Sequence, residues 1–285
     1  MTVMYFVRHG QSEGNVRGGF AGRVDYALSE KGVRQARCTA DFLRAVHLDA
    51  VCASPLRRAQ ATAAPIAADR GLAVQTRAGL IEFDFGDWEG LALDTLNARF
   101  PDAVPTWKYH LPDVACPHGE RMADCFARAK TEFAALARDY AGRDVCVVTH
   151  GAFLKCLFCA LHGLPLAEID RVPWADNASV TKVVIGADGV PAIEYENYSA
   201  HMGDLVTGVS RALTEKWARE GAPVPQNGNV QCARRTGGET CSRRLLAFSP
   251  KGSLRGEKHF LTSPPANAPP ETVDFLYLLV GGAMV

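Results

Sequence analysis

The sequence predicts an α/β fold, with a mainly parallel central sheet and helices packed on both faces. Two observations carry this. From residue 1 to about 205, short apolar runs alternate with stretches of helical period, the pattern of a covered parallel sheet. Two of those runs end in histidine followed by glycine, at His9-Gly10 and His150-Gly151. Ligands of open α/β sheets bind just beyond the carboxyl ends of the strands.

The elements follow in order. Val3-Met4-Tyr5-Phe6-Val7 is a buried strand that opens into Arg8-His9-Gly10. A polar, glycine-rich loop runs from Gly10 to Gly22. Ser29-Glu30-Lys31-Gly32 starts a helix that reaches about Val46. Ala50-Val51-Cys52-Ala53 is a third strand-like run. Ser54-Pro55 after it suits a helix start, with Ser54 as N-cap and proline in the first turn. A strand is expected over Leu72 to Thr76. From Gly119 to Tyr140, Met122, Cys125, Phe126, Ala129, Phe133 and Leu136 recur at helical spacing. The strand Asp144 to Thr149 leads into an apolar helix, Ala152 to Leu161. Ser179 to Ile185 and Ala192 to Tyr195 are two further strands, joined by the turn Gly186-Ala187-Asp188-Gly189.

These motifs converge on an anion. Two imidazoles at one sheet edge, Arg8 beside the first of them, and Arg57-Arg58 at a helix start form a cationic pocket. Helix N-termini attract anions, and the guanidinium fork matches phosphate. Such a set suits a phosphoryl group and suits a divalent metal poorly. The glycine after each histidine lets backbone and ligand approach closely.

Arg8-His9-Gly10, Ser54-x-Leu56-x-Arg58-Ala59-x-x-Thr62-Ala63, Glu82 before Gly86-x-Trp88-Glu89-Gly90, and Thr149-His150-Gly151 resemble the motifs of the histidine phosphatase superfamily, in that family's order. The superfamily also holds the cofactor-dependent phosphoglycerate mutases. The resemblance implies the three-layer sandwich of those enzymes and a phosphohistidine mechanism that needs no metal or other cofactor. By its motifs His9 is the nucleophile, and Arg8, Arg58 and His150 surround the phosphoryl oxygens. Glu82, four residues before Gly86, is the proton donor, with Asp84 as runner-up and Glu89 as a loop-shaping residue. Asn15, Gln11 and Gly151 are expected substrate contacts. Phe20, Trp88, Trp107, Tyr109 and His118 are candidates for the cleft entrance, and His201 for a further contact. Arg121 replaces the serine or threonine that often follows Gly119-Glu120 in the family, which puts a substrate contact there in doubt.

Phe85-Gly86-Asp87-Trp88-Glu89-Gly90 resembles the smaller broad-specificity and α-ribazole phosphatases, not the Glu-Arg-His-Tyr-Gly element of the mutases. The expected activity is therefore hydrolysis of a small phosphorylated metabolite. A mutase-type phosphotransferase and a silent phospho-ligand binder are the alternatives.

Composition sets bounds. The 285 residues carry 31 Lys+Arg and 31 Asp+Glu, so no net charge draws the chain to nucleic acid or an anionic membrane. The first residues lack the basic and then apolar pattern of a signal peptide, and no run reaches the ~20 apolar residues of a membrane helix. The nine cysteines fall mostly inside expected helices and strands, as small core residues do in a reducing compartment. A cytoplasmic location is expected. Cys156-Leu157-Phe158-Cys159 has no second ligand pair, so it reads as core. Residues 1–205 form the expected catalytic domain. A helix is expected over 206–220, and a disordered, basic, glycine- and proline-rich tail over 221–285 with a short apolar end.

Overall fold

The computed structural model describes residues 1–208. The expected tail, and all but Val206–Gly208 of the expected helix before it, lie outside the described residues. Those three residues carry no helix.

The elements run β1 (Thr2–Arg8), α1 (Glu13–Arg17), α2 (Glu30–Leu43), β2 (Ala50–Ala53), α3 (Arg57–Ala68), β3 (Val74–Thr76), α4 (Leu93–Arg99), α5 (Ala103–Tyr109), α6 (Met122–Asp139), β4 (Asp144–Thr149), α7 (Gly151–Leu161), β5 (Val180–Ile185) and β6 (Pro191–Tyr198). They build a 6-stranded sheet of order β3-β2-β4-β1-β5-β6. β1 to β4 are parallel, while β5 and β6 add an antiparallel pair at one edge. The tight turn at 186–189 forces that hairpin, since parallel neighbours need a long crossover.

β1 is buried along its whole length because both faces are covered. Val3, Tyr5 and Val7 pack with Ala40 and Leu43 of α2 and Ala63 and Ile66 of α3. Met4 and Phe6 pack on the opposite face with Phe133 of α6 and Phe158 of α7. Strand alternation thus divides one apolar run between two cores. None of the helices among the described residues is long and apolar enough to cross a membrane.

Register positions the site. Arg8 pairs with Thr149, so the next residue of each strand leaves the sheet at the same level. The His9 N–H still donates to the Thr149 carbonyl at 2.9 Å. Ala53 pairs with Val148, and Ser54 donates to the Val148 carbonyl at 3.0 Å. His9, His150 and Ser54 therefore stand in one row.

Two local expectations are corrected. Ser54 does not cap α3: the N-cap is Leu56, with no side-chain bond. Ser54 still belongs to the sheet ladder, so Pro55 and Leu56 make the turn, and Asp25 Oδ1 accepts the Arg57 N–H at 2.7 Å in place of a local cap. The loop 10–22 contains α1, whose N-cap Ser12 exchanges hydrogen bonds with Asn15 in a capping box. The Ser-x-x-Asn spacing was the available signal.

Candidate active site

His9 is 3% exposed. Its Nδ1 lies 2.7 Å from the Gly10 carbonyl oxygen. A carbonyl only accepts, so Nδ1 holds the proton and Nε2 keeps its lone pair. Burial, then the Arg58 and Arg8 charges, push the imidazole well below its ordinary value. The ring is neutral and its tautomer is fixed. The sequence could not show its orienting partner, which is a backbone carbonyl one residue away.

Arg8 donates through Nη1 to the Ala175 carbonyl at 2.6 Å. Arg58 donates to the carbonyls of Val24 (2.9 Å) and Gly22 (2.6 Å). Burial lowers the pKa of both. The His150 and His9 ring centroids are 5.1 Å apart. His150 Nε2 lies 2.6 Å from Ser54 Oγ, and Ser54 Oγ also accepts the Leu56 N–H at 3.3 Å.

Arg8 Nε, Arg58 Nε and His150 Nδ1 are buried and have no hydrogen-bond partner. Buried donors without acceptors are costly and rare. The two guanidinium nitrogens are donors on residues that line the cleft with His9.

Glu82 lies over the start of α7. Its Oε1 accepts the N–H groups of Phe83 (2.9 Å) and Phe153 (3.2 Å), and its Oε2 accepts that of Ala152 (3.4 Å). These backbone N–H groups fix the position of the side chain. The segment is held from behind. Arg128 makes two hydrogen bonds to the Glu120 carboxylate, both at 2.9 Å, and donates to the Gly79 and Ile81 carbonyls. Asp84, the runner-up acid, is instead paired with Arg23 at 2.8 Å. Glu89 accepts the Arg23 and Phe85 N–H groups at 2.7 and 3.0 Å, shaping the loop.

Asn15 lines the cleft. Its Oδ1 takes the Ser12 N–H, the Ser12 hydroxyl and the Asn177 amide, which leaves its NH2 for a ligand. Gly151 also lines the cleft, and a Cβ there would stand 3.3 Å from Arg8 Cζ. Gln11 does not line it. Its side chain accepts from Ser29 Oγ at 2.9 Å, and its N–H donates to Gln35 at 2.7 Å, tying the loop to α2. His118 is an exposed partner of Asp87, and Arg121 pairs with Asp124 on the surface. Arg57 is also exposed. His201 stacks on Phe42 at 4.8 Å, away from the cleft.

Residues 4–198 match the histidine phosphatase superfamily, branch 1. The chain belongs to that superfamily. Phosphoserine phosphatase 1 of Hydrogenobacter thermophilus is 30% identical over 216 residues, 75% of this chain and 100% of that protein. A 2,3-bisphosphoglycerate-dependent phosphoglycerate mutase of Methylobacterium radiotolerans is 38% identical over 175 residues, covering 59% and 82% of the two chains. Among solved structures, Bacillus stearothermophilus YhfR superposes with a TM-score of 0.67 at 30% identity, covering 71% of this chain and 100% of that one.

In this histidine phosphatase the cleft has a volume of ≈ 250 Å³. Beyond Arg8, His9, Arg58 and Glu82 its wall is aromatic: Phe20, Phe85, Trp107 and Trp174. Phe20 and Trp107 were legible as candidates. Trp88 is in the core at 5% exposure and Tyr109 is 42% exposed, and neither lines the cleft. Trp174 and Phe85 were missed. So was Asn177, which donates to the His9 carbonyl (3.1 Å) and to Asn15 Oδ1 (3.2 Å). No spacing marks Asn177, because it arrives from a loop 168 residues downstream of His9.

Proposed function

We propose that this protein hydrolyses small phosphate monoesters through a phosphohistidine on His9, without a metal ion. The observation that carries the reading is the fixed His9 tautomer in a cleft that it shares with Arg8 and Arg58, whose buried Nε donors have no partner. Nε2 of His9 attacks phosphorus and the ester P–O bond breaks. The departing alkoxide takes a proton from the Glu82 carboxyl. Arg8, Arg58 and His150 hold the negative oxygens through both displacements, and being preorganised they need no rearrangement during the reaction. Asn15 adds a donor at the same end. Water then gives a proton to the Glu82 carboxylate and attacks the phosphohistidine, releasing inorganic phosphate and free His9.

A phosphoglycerate mutase reading has one observation in its favour, the 38% identity to a protein of that name. It requires phosphoglycerate interconversion that depends on a bisphosphate primer. A silent binder fits less well, because nucleophile, acid and anion donors are all in place. A cytoplasmic location is supported by the cysteines, all free thiols among the described residues.

The test is phosphate release from a panel of esters in EDTA, with wild type beside His9→Ala, and intact mass after brief exposure to ester. Release that survives EDTA, is lost in the variant, and passes through a base-stable, acid-labile phosphoprotein supports the reading. Folded protein that releases no phosphate and forms no phosphoprotein overturns it.

A further inference from the structure

The cleft divides into two chemically distinct halves. Its charged lining residues are Arg8, Arg58 and Glu82, all at the phosphate end. Arg8 Nη1 and both Arg58 Nη atoms are already committed to backbone carbonyls. The other half is one contiguous aromatic surface. Phe20 stacks on Phe85 with centroids 4.6 Å apart. Trp107 touches Phe20, Phe85 and Trp174 at 5.3, 4.8 and 5.5 Å. The Lys155 ammonium sits 4.9 Å from the Trp174 ring centroid.

We propose that the alcohol released by this enzyme is uncharged and carries a flat apolar face, best of all an aromatic ring, and that Phe20, Phe85, Trp107 and Trp174 select it. The proposal rests on the phosphomonoesterase reading and supplies the half of the substrate left open there. A carboxylate on the alcohol would enter beside Glu82 with no lining cation to meet it, and a desolvated, unpaired charge is expensive. The two guanidiniums are matched by the two charges of the phosphate. A ring gains by stacking on the wall, where offset and edge contacts are favourable. A cationic alcohol is disfavoured because Lys155 already occupies one side of Trp174 with positive charge. The expected substrates therefore differ from the phosphoserine and phosphoglycerate for which two relatives are named.

The experiment compares kcat/KM for 2-phenylethyl phosphate, ethyl phosphate, O-phosphoserine, 3-phosphoglycerate and phosphocholine. Phenylethyl phosphate should exceed ethyl phosphate by about tenfold or more, the scale of an apolar pocket's discrimination. Both carboxylate esters and phosphocholine should fall below ethyl phosphate. In Trp107→Ala and in Trp174→Ala the phenylethyl-to-ethyl ratio should shrink by about fivefold or more. Binding of the same esters to His9→Ala protein, read from tryptophan fluorescence, should follow the same order. Absence of turnover for every ester would sink the phosphatase reading, while the binding order would still decide this one. A lead for either carboxylate ester or for phosphocholine in binding, or equal binding of phenylethyl and ethyl phosphates, would overturn the proposal.

Discussion

His150 Nε2 and Ser54 Oγ are 2.6 Å apart, a bond that joins the end of β4 to the end of β2. Ser54→Ala removes this partner and leaves the buried His150 Nε2 unsatisfied. An unsatisfied buried group costs about 1–3 kcal/mol, so kcat/KM should fall roughly tenfold to a hundredfold. Ser54→Thr, which keeps the hydroxyl, should recover part of the loss. Steady-state kinetics of both variants checks this.

The neutral state of His9 and His150 has a pH signature. Both are held well below the ordinary imidazole value, first by burial and then by Arg58, with His9 and His150 also under the Arg8 charge. Below about pH 6.5 the unfolded imidazoles bind protons that the folded ones do not. The unfolded state then holds more protons, so stability is complete above that pH and declines as pH falls toward the folded values. Urea titrations across this range should show the decline, and His150→Gln should flatten it.

Lys155 acts at the other end of the scale. Burial lowers its pKa from 10.5 to about 8. The unfolded chain binds the extra proton between those values, so stability rises with pH through the window and is reduced below it. At about 1.4 kcal/mol per unit the difference amounts to about 3 kcal/mol. Wild type should therefore gain by about that much relative to Lys155→Met between pH 8 and 10.5, as measured by chemical denaturation of both proteins.

Gly22 is required twice. Its φ is +46°, and a Cβ would lie 1.9 Å from Glu89 Oε1. Its carbonyl also anchors Arg58 at 2.6 Å. Gly22→Ala should lower both Tm and kcat/KM. Gly142, with φ +77° and nothing within 4 Å of a new Cβ, is the control. Its alanine variant should cost only about 1 kcal/mol, the backbone term alone, with activity retained. Equal losses of activity in the two would remove the role given to Glu89 and Arg58.

Arg128 braces the segment that carries Glu82. Side-chain exposure is 21% for Arg128 and 12% for Glu120, so removing one partner leaves the other charge largely buried. Glu120 keeps Arg23 at 3.7 Å and the Asp84 N–H at 3.2 Å, so Arg128→Ala should cost about 1–3 kcal/mol. It should also reduce activity, since the carbonyls of residues 79 and 81 lose their donor. Urea denaturation and kinetics on the same protein test both effects.

The amino-acid sequence determined the strands, the helices and the chemistry at their ends. Val3 to Val7 could only be a strand covered on both faces, and the glycines after His9 and His150 marked strand ends open to a ligand. Glu82 stood out through the motif it shares with the histidine phosphatases. These features are local, so period and neighbouring residues reveal them. Tertiary structure decided what depends on register and on distant loops. The pairing of Arg8 with Thr149 brings the two histidines together. The ladder bond of Ser54 turned an apparent helix cap into the partner of His150. The Gln11 side chain, expected at the cleft, instead accepts from Ser29 Oγ. Asn177 and Trp174 reach the site on a chain segment that no spacing rule links to residue 9, because contacts made across the sheet leave no period in the sequence.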